Sequence, residues 1–144
     1  MSRRRFDPRT DYEAVSAFLR EHHRTGNRDG NWLQPVWEYA FTHPWFDTSS
    51  VDRIGIWEEA GEIVAVVTYE LRLGEAFFHV APGHEHRKPE LLAHAERYLT
   101  AVAKDGGSRL DVFVNDFDEP FERTVCDTGY AERPRRDRPM SACD

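Results

Sequence analysis

Residues 84–90, His-Glu-His-Arg-Lys-Pro-Glu, lie between an aromatic and β-branched run at 75–80 and an apolar stripe of Leu91, Leu92, Ala95 and Leu99. Read in order these are strand, loop and helix, so a helix N-terminus stands directly behind a cluster of charged side chains. Proline is preformed for the first helical turn and a glutamate beside it favours the positive end of the helix dipole, which makes Pro89 and Glu90 the start signal. The first N–H groups of a helix have no intrahelical partner and bind anions. A phosphate-bearing ligand is therefore the first chemistry this stretch suggests, with Arg87 able to grip a phosphate through two N–H groups and Lys88 acting as a point charge. The competing reading is a solvated loop, because a run of charges is usually an exposed face.

Two other clusters invite a metal, His84-Glu85-His86 and Asp116-Phe-Asp118-Glu119. Neither has a ligand spacing such as His-Glu-x-x-His, and an acidic run after a strand usually caps turns, so we expect no metal. Gly-x-Ser-x-Gly, Walker-type and dinucleotide fingerprints are missing from the sequence, which leaves hydrolase, NTPase and dehydrogenase readings without support.

Composition sets the frame for these residues. The 144 residues suit one domain, 1–144, and 40% hydrophobic with 31% charged residues is a globular balance. A net charge of −7 argues against a general nucleic-acid surface, although Arg3 to Arg5 and residues 133–138 are locally basic. An acidic protein steers cationic amines toward itself. No segment approaches the ~20 apolar residues of a membrane span, and Met1-Ser-Arg-Arg-Arg-Phe6 leads into no apolar leader, so we expect no membrane and a cytoplasmic place. Cys126 and Cys143 lack metal-ligand spacing and are expected as free thiols in a reducing compartment.

The elements that must hold the loop follow from periodicity. Residues 3–6 form a short strand, and Thr10 or Asp11 caps a helix carrying Tyr12, Val15, Phe18 and Leu19, with Glu13 completing a capping box. Residues 26–30 break the chain, and a second helix starts after Gln34, with Pro35 in its first turn, and stops before Pro44. The rings of Trp32, Trp37, Tyr39, Phe41, Trp45 and Phe46 are expected to pack helices on a sheet, or else to wall an acceptor pocket. Residues 54–58 and 62–71 read as a hairpin around Ala60-Gly61, with 63–69 apolar on both faces and hence central. Residues 75–80 return beside it; a helix then runs to about Val102, glycines follow, and 110–114 alternate into a further strand. The sum is an α/β domain with a mixed, mostly antiparallel sheet flanked by helices.

In this order, Val80-x-Pro82 before a helix and a late Gly129-Tyr130 resemble the GNAT acyltransferase superfamily over nearly the whole chain. The stretch Asn31-Trp-Leu-Gln-Pro-Val-Trp-Glu-Tyr39 with His43-Pro44 looks like the first, degenerate half of bacterial tandem GNAT proteins. The resemblance implies the GNAT acyl-CoA N-acyltransferase fold, acetyl-CoA as co-substrate and a small-molecule amine as acceptor. Val80 and Ala81 would then offer backbone hydrogen bonds to the pantetheine arm, Arg87 and Lys88 would meet the phosphates, and Glu75 would be the glutamate base.

The chain departs from that pattern at three places. Residues 84–90 contain no glycine, carry Glu85 and Glu90 where phosphates would lie, and lose a donor amide at Pro89. The tyrosine acid expected four residues before Gly129 is Val125, which leaves Tyr130 or Cys126 for that role. Asp118 stands where asparagine is common. Two functions therefore stay open: an N-acetyltransferase, and a catalytically silent GNAT-fold module that binds a small molecule or a partner domain. A homodimer or a partner GNAT domain would supply the packing surface of a missing second half.

Overall fold

The computed structural model describes residues 2–22, 32, 34–102, 105–114 and 119–129, and within these the side chains of Ser2 and Glu119 are left aside. Among the described residues, seven strands and four helices follow in the order β1 (Ser2–Arg5), α1 (Asp11–Glu21), α2 (Gln34–Thr42), β2 (Gly55–Glu59), β3 (Glu62–Thr68), β4 (Glu75–Val80), α3 (Lys88–Tyr98), β5 (Ala101–Val102), β6 (Ser108–Arg109), β7 (Asp111–Val112) and α4 (Glu119–Asp127). The 3-10 segments Thr48–Arg53 and Glu85–Arg87 precede β2 and α3.

The main sheet has the order β1-β2-β3-β4-β7. β1 to β4 are antiparallel, and β7 joins β4 in parallel. The central strand is β3, as its apolar content on both faces requires, with Val66 fully buried and β4 its antiparallel neighbour. The β2–β3 turn places Ala60 and Gly61 at φ 54° and 82°, the doubly left-handed geometry that matches hairpin twist.

Helices cover both faces, and alternation along β1 assigns them. Arg4 reaches Asp11 of α1 through two hydrogen bonds of 2.6 and 2.7 Å, while Arg3 lies 5.2 Å over the ring of Tyr98 on α3. Successive side chains of a strand point to opposite faces, so α1 and α3 lie on opposite sides. On the first side Trp37 of α2 is fully buried and donates Nε1–H to the Tyr12 carbonyl. On the second, Leu91, Leu92, Ala95 and Leu99 form the apolar stripe of α3, each leucine contributing about 1.5–3 kcal/mol by burial. Gly55 lets α3 come close, since a Cβ there would stand 2.7 Å from His94 Nε2.

Four local expectations are corrected. Thr10 makes no side-chain cap, and Asp11 instead turns inward to accept the Asp7 amide at 2.7 Å and the Arg4 fork, so the capping box is replaced by an ion pair. α3 ends at Tyr98 rather than near Val102, because the Leu99 carbonyl is taken by the Gly74 amide at 2.7 Å and the chain turns into β5. The strand expected over 110–114 keeps only Asp111–Val112. Cys126 is disulfide-bonded rather than a free thiol. The break at residues 26–30 lies outside the described residues, and so does Tyr130.

Of the six rings grouped in the sequence, Trp32, Trp37 and Phe46 are buried, Phe41 packs against the core, and Tyr39 and Trp45 are exposed. The packing role holds for the first four only. No helix among the described residues is long and apolar enough to cross a membrane.

Candidate functional site

β4 sorts its side chains between two environments. Glu75, Phe77 and His79 share the face that carries α1 and α2, while Ala76, Phe78 and Val80 share the face of α3 and α4. Phe77 stacks on Phe113 at 4.3 Å, and Trp32 lies 4.8 Å from both Phe77 and His79. Phe78 meets Phe121 of α4 edge to face at 5.0 Å.

Pairing between β4 and β7 is confined to Glu75 with Asp111 and Ala76 with Val112, and the Phe113 amide donating to the Ala76 carbonyl at 3.1 Å is its last hydrogen bond among the described residues. Ala65 and Val80 form a non-hydrogen-bonded pair on the other edge, because Ala81 N–H donates to Val64 O at 2.9 Å. The backbone N–H and C=O of Phe78 and Val80 are thus directed away from β3, toward the side on which β7 pairs with Glu75 and Ala76. The Ala81 amide is already committed to β3.

Glu75 opens this edge. It is half-buried, its Oε1 accepts the Leu71 amide at 3.4 Å, and its register partner on the parallel strand is Asp111. Asp111 in turn accepts from Arg109 Nη2 at 3.0 Å. Glu75 and Asp111 are therefore register neighbours on the face that carries Phe77 and Phe113, with Trp32 packed on Phe77. Trp32 Nε1 is buried with no hydrogen-bond partner among the described residues, although its backbone amide donates to His79 Nδ1 at 3.2 Å. That hydrogen bond makes Nδ1 the acceptor and puts the ring proton of a neutral His79 on Nε2.

The loop after β4 satisfies itself. Gly83 N–H is held by the Glu85 carboxylate at 3.0 Å, His84 N–H by the Ala81 carbonyl and Arg87 N–H by the His84 carbonyl. A side-chain anion already sits on the first loop amide. Lys88 is buried and its ammonium lies 5.1 Å over the Phe121 ring, beside a cavity of about 340 Å³ bordered by His86, Pro89, Pro120 and Thr124. The half-buried Arg87 retains a buried Nε without a partner among the described residues. The structure thus separates the two cations grouped in the sequence.

Val125 is buried in α4 against the core. No group of three or more His, Cys, Asp or Glu among the described residues is arranged to hold a metal. Sequence reading names Trp32 only as one of six rings that either pack the core or wall an acceptor pocket, and passes over His79, Asp111 and Phe113 as site residues. The strand alternation that links Glu75 to Phe77 and His79 is the signal that was present for one of them; the rest depend on contacts between segments far apart in the chain. No family model matches this chain, and no curated protein matches it.

Proposed function

We propose that this chain is a GNAT-like domain shaped for acetyl-CoA-dependent N-acetyl transfer to a small amine. The observation that supports the reading is the half-buried Glu75 with its register neighbour Asp111 beside the stacked rings of Phe77 and Phe113, on the strand that leads into the Arg87 loop and the N-terminus of α3. The pantetheine arm would run along Phe78 and Val80, the phosphates would lie near Arg87 at the start of α3, and the amine would enter beside Glu75 and Asp111.

In that arrangement Glu75, directly or through water, takes the proton from the attacking ammonium or amine. Nitrogen then forms its bond to the thioester carbonyl carbon, and the thiolate of CoA leaves and is reprotonated. Asp111, Phe77 and Trp32 favour a cationic, partly apolar acceptor through charge and ring-face attraction. Tyr130 remains the candidate for returning the proton to sulfur.

A second reading, a silent module that binds a small molecule or a partner domain, is favoured by Glu85 on the Gly83 amide and by buried Val125. Acetyl transfer to a polyamine and aminoglycoside panel separates the two. The enzyme reading expects thiol release that falls about 10²–10⁴-fold in Glu75→Gln, the usual contribution of a general base. Binding without thiol release would leave the silent module.

A further inference from the structure

On the α3 side of the sheet, away from the β4–β7 edge, a cavity of about 340 Å³ lies between β1 and α3. Trp57 and His94 form its floor, and Glu90, Ala93, Arg97 and Tyr98 line the α3 wall, facing Arg3 of β1. Ala93 keeps the middle of the wall shallow. The volume falls at the lower end of the range for small-molecule pockets.

The charges of this cavity are unusual for a chain of net charge −7. Arg4, one residue along β1, is neutralised by Asp11 and Glu58 on the opposite face. Arg3, Arg53 and Arg97, by contrast, make no ion pair among the described residues. All three gather round Tyr98: the Arg3 and Arg97 guanidinium carbons stand 5.2 and 5.4 Å from its ring centroid, and Arg53 Nη1 donates to its carbonyl at 3.4 Å. Contact with a ring uses the flat face of a guanidinium and leaves its in-plane N–H groups for a planar or tetrahedral oxyanion. The ring thus gathers the two guanidinium groups while no ion pair among the described residues occupies their donors.

Glu90 gives the cavity a second pole. It stands seven residues before Arg97 on one helical stripe, about 10 Å along the axis. We infer that this cavity binds a small molecule carrying an oxyanion, phosphate or carboxylate, at the Arg3–Arg97 end and a hydroxyl or amine at the Glu90 end. The site is separate from the proposed acyl-transfer edge and does not depend on that function.

The test is a titration of the full chain with inorganic phosphate, acetate and O-phosphoethanolamine, followed by the Arg3 and Arg97 Nε–H and Tyr98 amide signals in NMR spectra. Saturable shifts are expected with at least one of the two simple anions, and whichever it is identifies the oxyanion. Affinity should fall at least tenfold in Arg3→Ala/Arg97→Ala. Arg3→Lys/Arg97→Lys, which keeps the charge and loses the fork, should bind more weakly than the parent. If phosphate is the anion, phosphoethanolamine should bind more tightly than phosphate, and Glu90→Gln should remove that advantage. The inference is overturned if phosphate and acetate both leave these signals unmoved, or if a folded double alanine variant binds as the parent does.

Discussion

At its start β4 presents a half-buried carboxylate, Glu75, beside Asp111 and under the rings of Phe77, Phe113 and Trp32, whereas just past its end the chain folds back on its own polar groups, with Glu85 on the Gly83 amide and the Lys88 ammonium over Phe121. The first region is a rigid apolar frame that holds charge for a ligand. The second is a loop in which Glu85 and Lys88 have internal partners while Arg87 keeps a buried Nε without one among the described residues. A cofactor that needs bare amides would meet Glu85 at one end of β4, while the cationic acceptor proposed above would meet Glu75 at the other. The two ends can therefore be perturbed independently.

The largest effect belongs to the frame. Phe77→Ala removes the Phe113 stack and the Trp32 contact and leaves a cavity, so we expect a loss of about 3–5 kcal/mol in chemical denaturation, together with loss of amine binding. Retention of stability would mean that the aromatic box is not what holds the acidic pair. A smaller effect, opposite in sign, is expected at the loop: Glu85→Gln removes the carboxylate charge from the Gly83 amide and should tighten CoA binding about three- to tenfold, with Arg87→Ala weakening it more than Lys88→Ala does. Equal losses at Arg87 and Lys88 would contradict the position of Lys88 under Phe121.

The smallest expected effect concerns stability against pH, which is set away from both regions. Burial pushes the Asp11 carboxyl up, but the Arg4 fork and the Asp7 amide outweigh it and hold the group below the usual carboxylate range. Asp11 thus contributes stability above its unfolded pKa of about 3.9, lost as pH falls through the lower folded value. Burial pushes His94 down, so the unfolded chain binds more protons below about pH 6.5 and stability declines there. Tyr69, whose hydroxyl donates to the Asp47 carbonyl, is raised by burial and then by the charges of Asp47 and Asp52. The unfolded tyrosine therefore ionises first, and stability declines as pH rises above about 10. Midpoints of thermal unfolding should peak between these limbs. His94→Gln should soften the decline near pH 6, and an unchanged profile would contradict the assignment.

Much of the frame was legible because it depends on local period. The two-sided apolar run of β3, the left-handed Ala60-Gly61 turn, the extent of β4 and the proline start of α3 are each written in a few neighbouring residues. The site was less legible. Trp32 meets His79 across 47 positions, and Lys88 is covered by a residue of α4, so neither contact leaves a mark on local spacing. The capping box failed for the same reason: Asp11 had a stronger partner in Arg4, on another element.

The central proposal is that acyl-CoA lies along β4 at Phe78 and Val80, beyond the residues that pair with β7. Titration of the isotopically labelled chain with acetyl-CoA, followed by backbone amide signals, tests this most directly. We predict saturable shifts at Phe78, Val80, Gly83 and Arg87, weakened by added salt because surface charges meet the phosphates. Signals of those four residues unmoved at millimolar acetyl-CoA, or movement confined to Arg3, Arg97 and Tyr98, would contradict it.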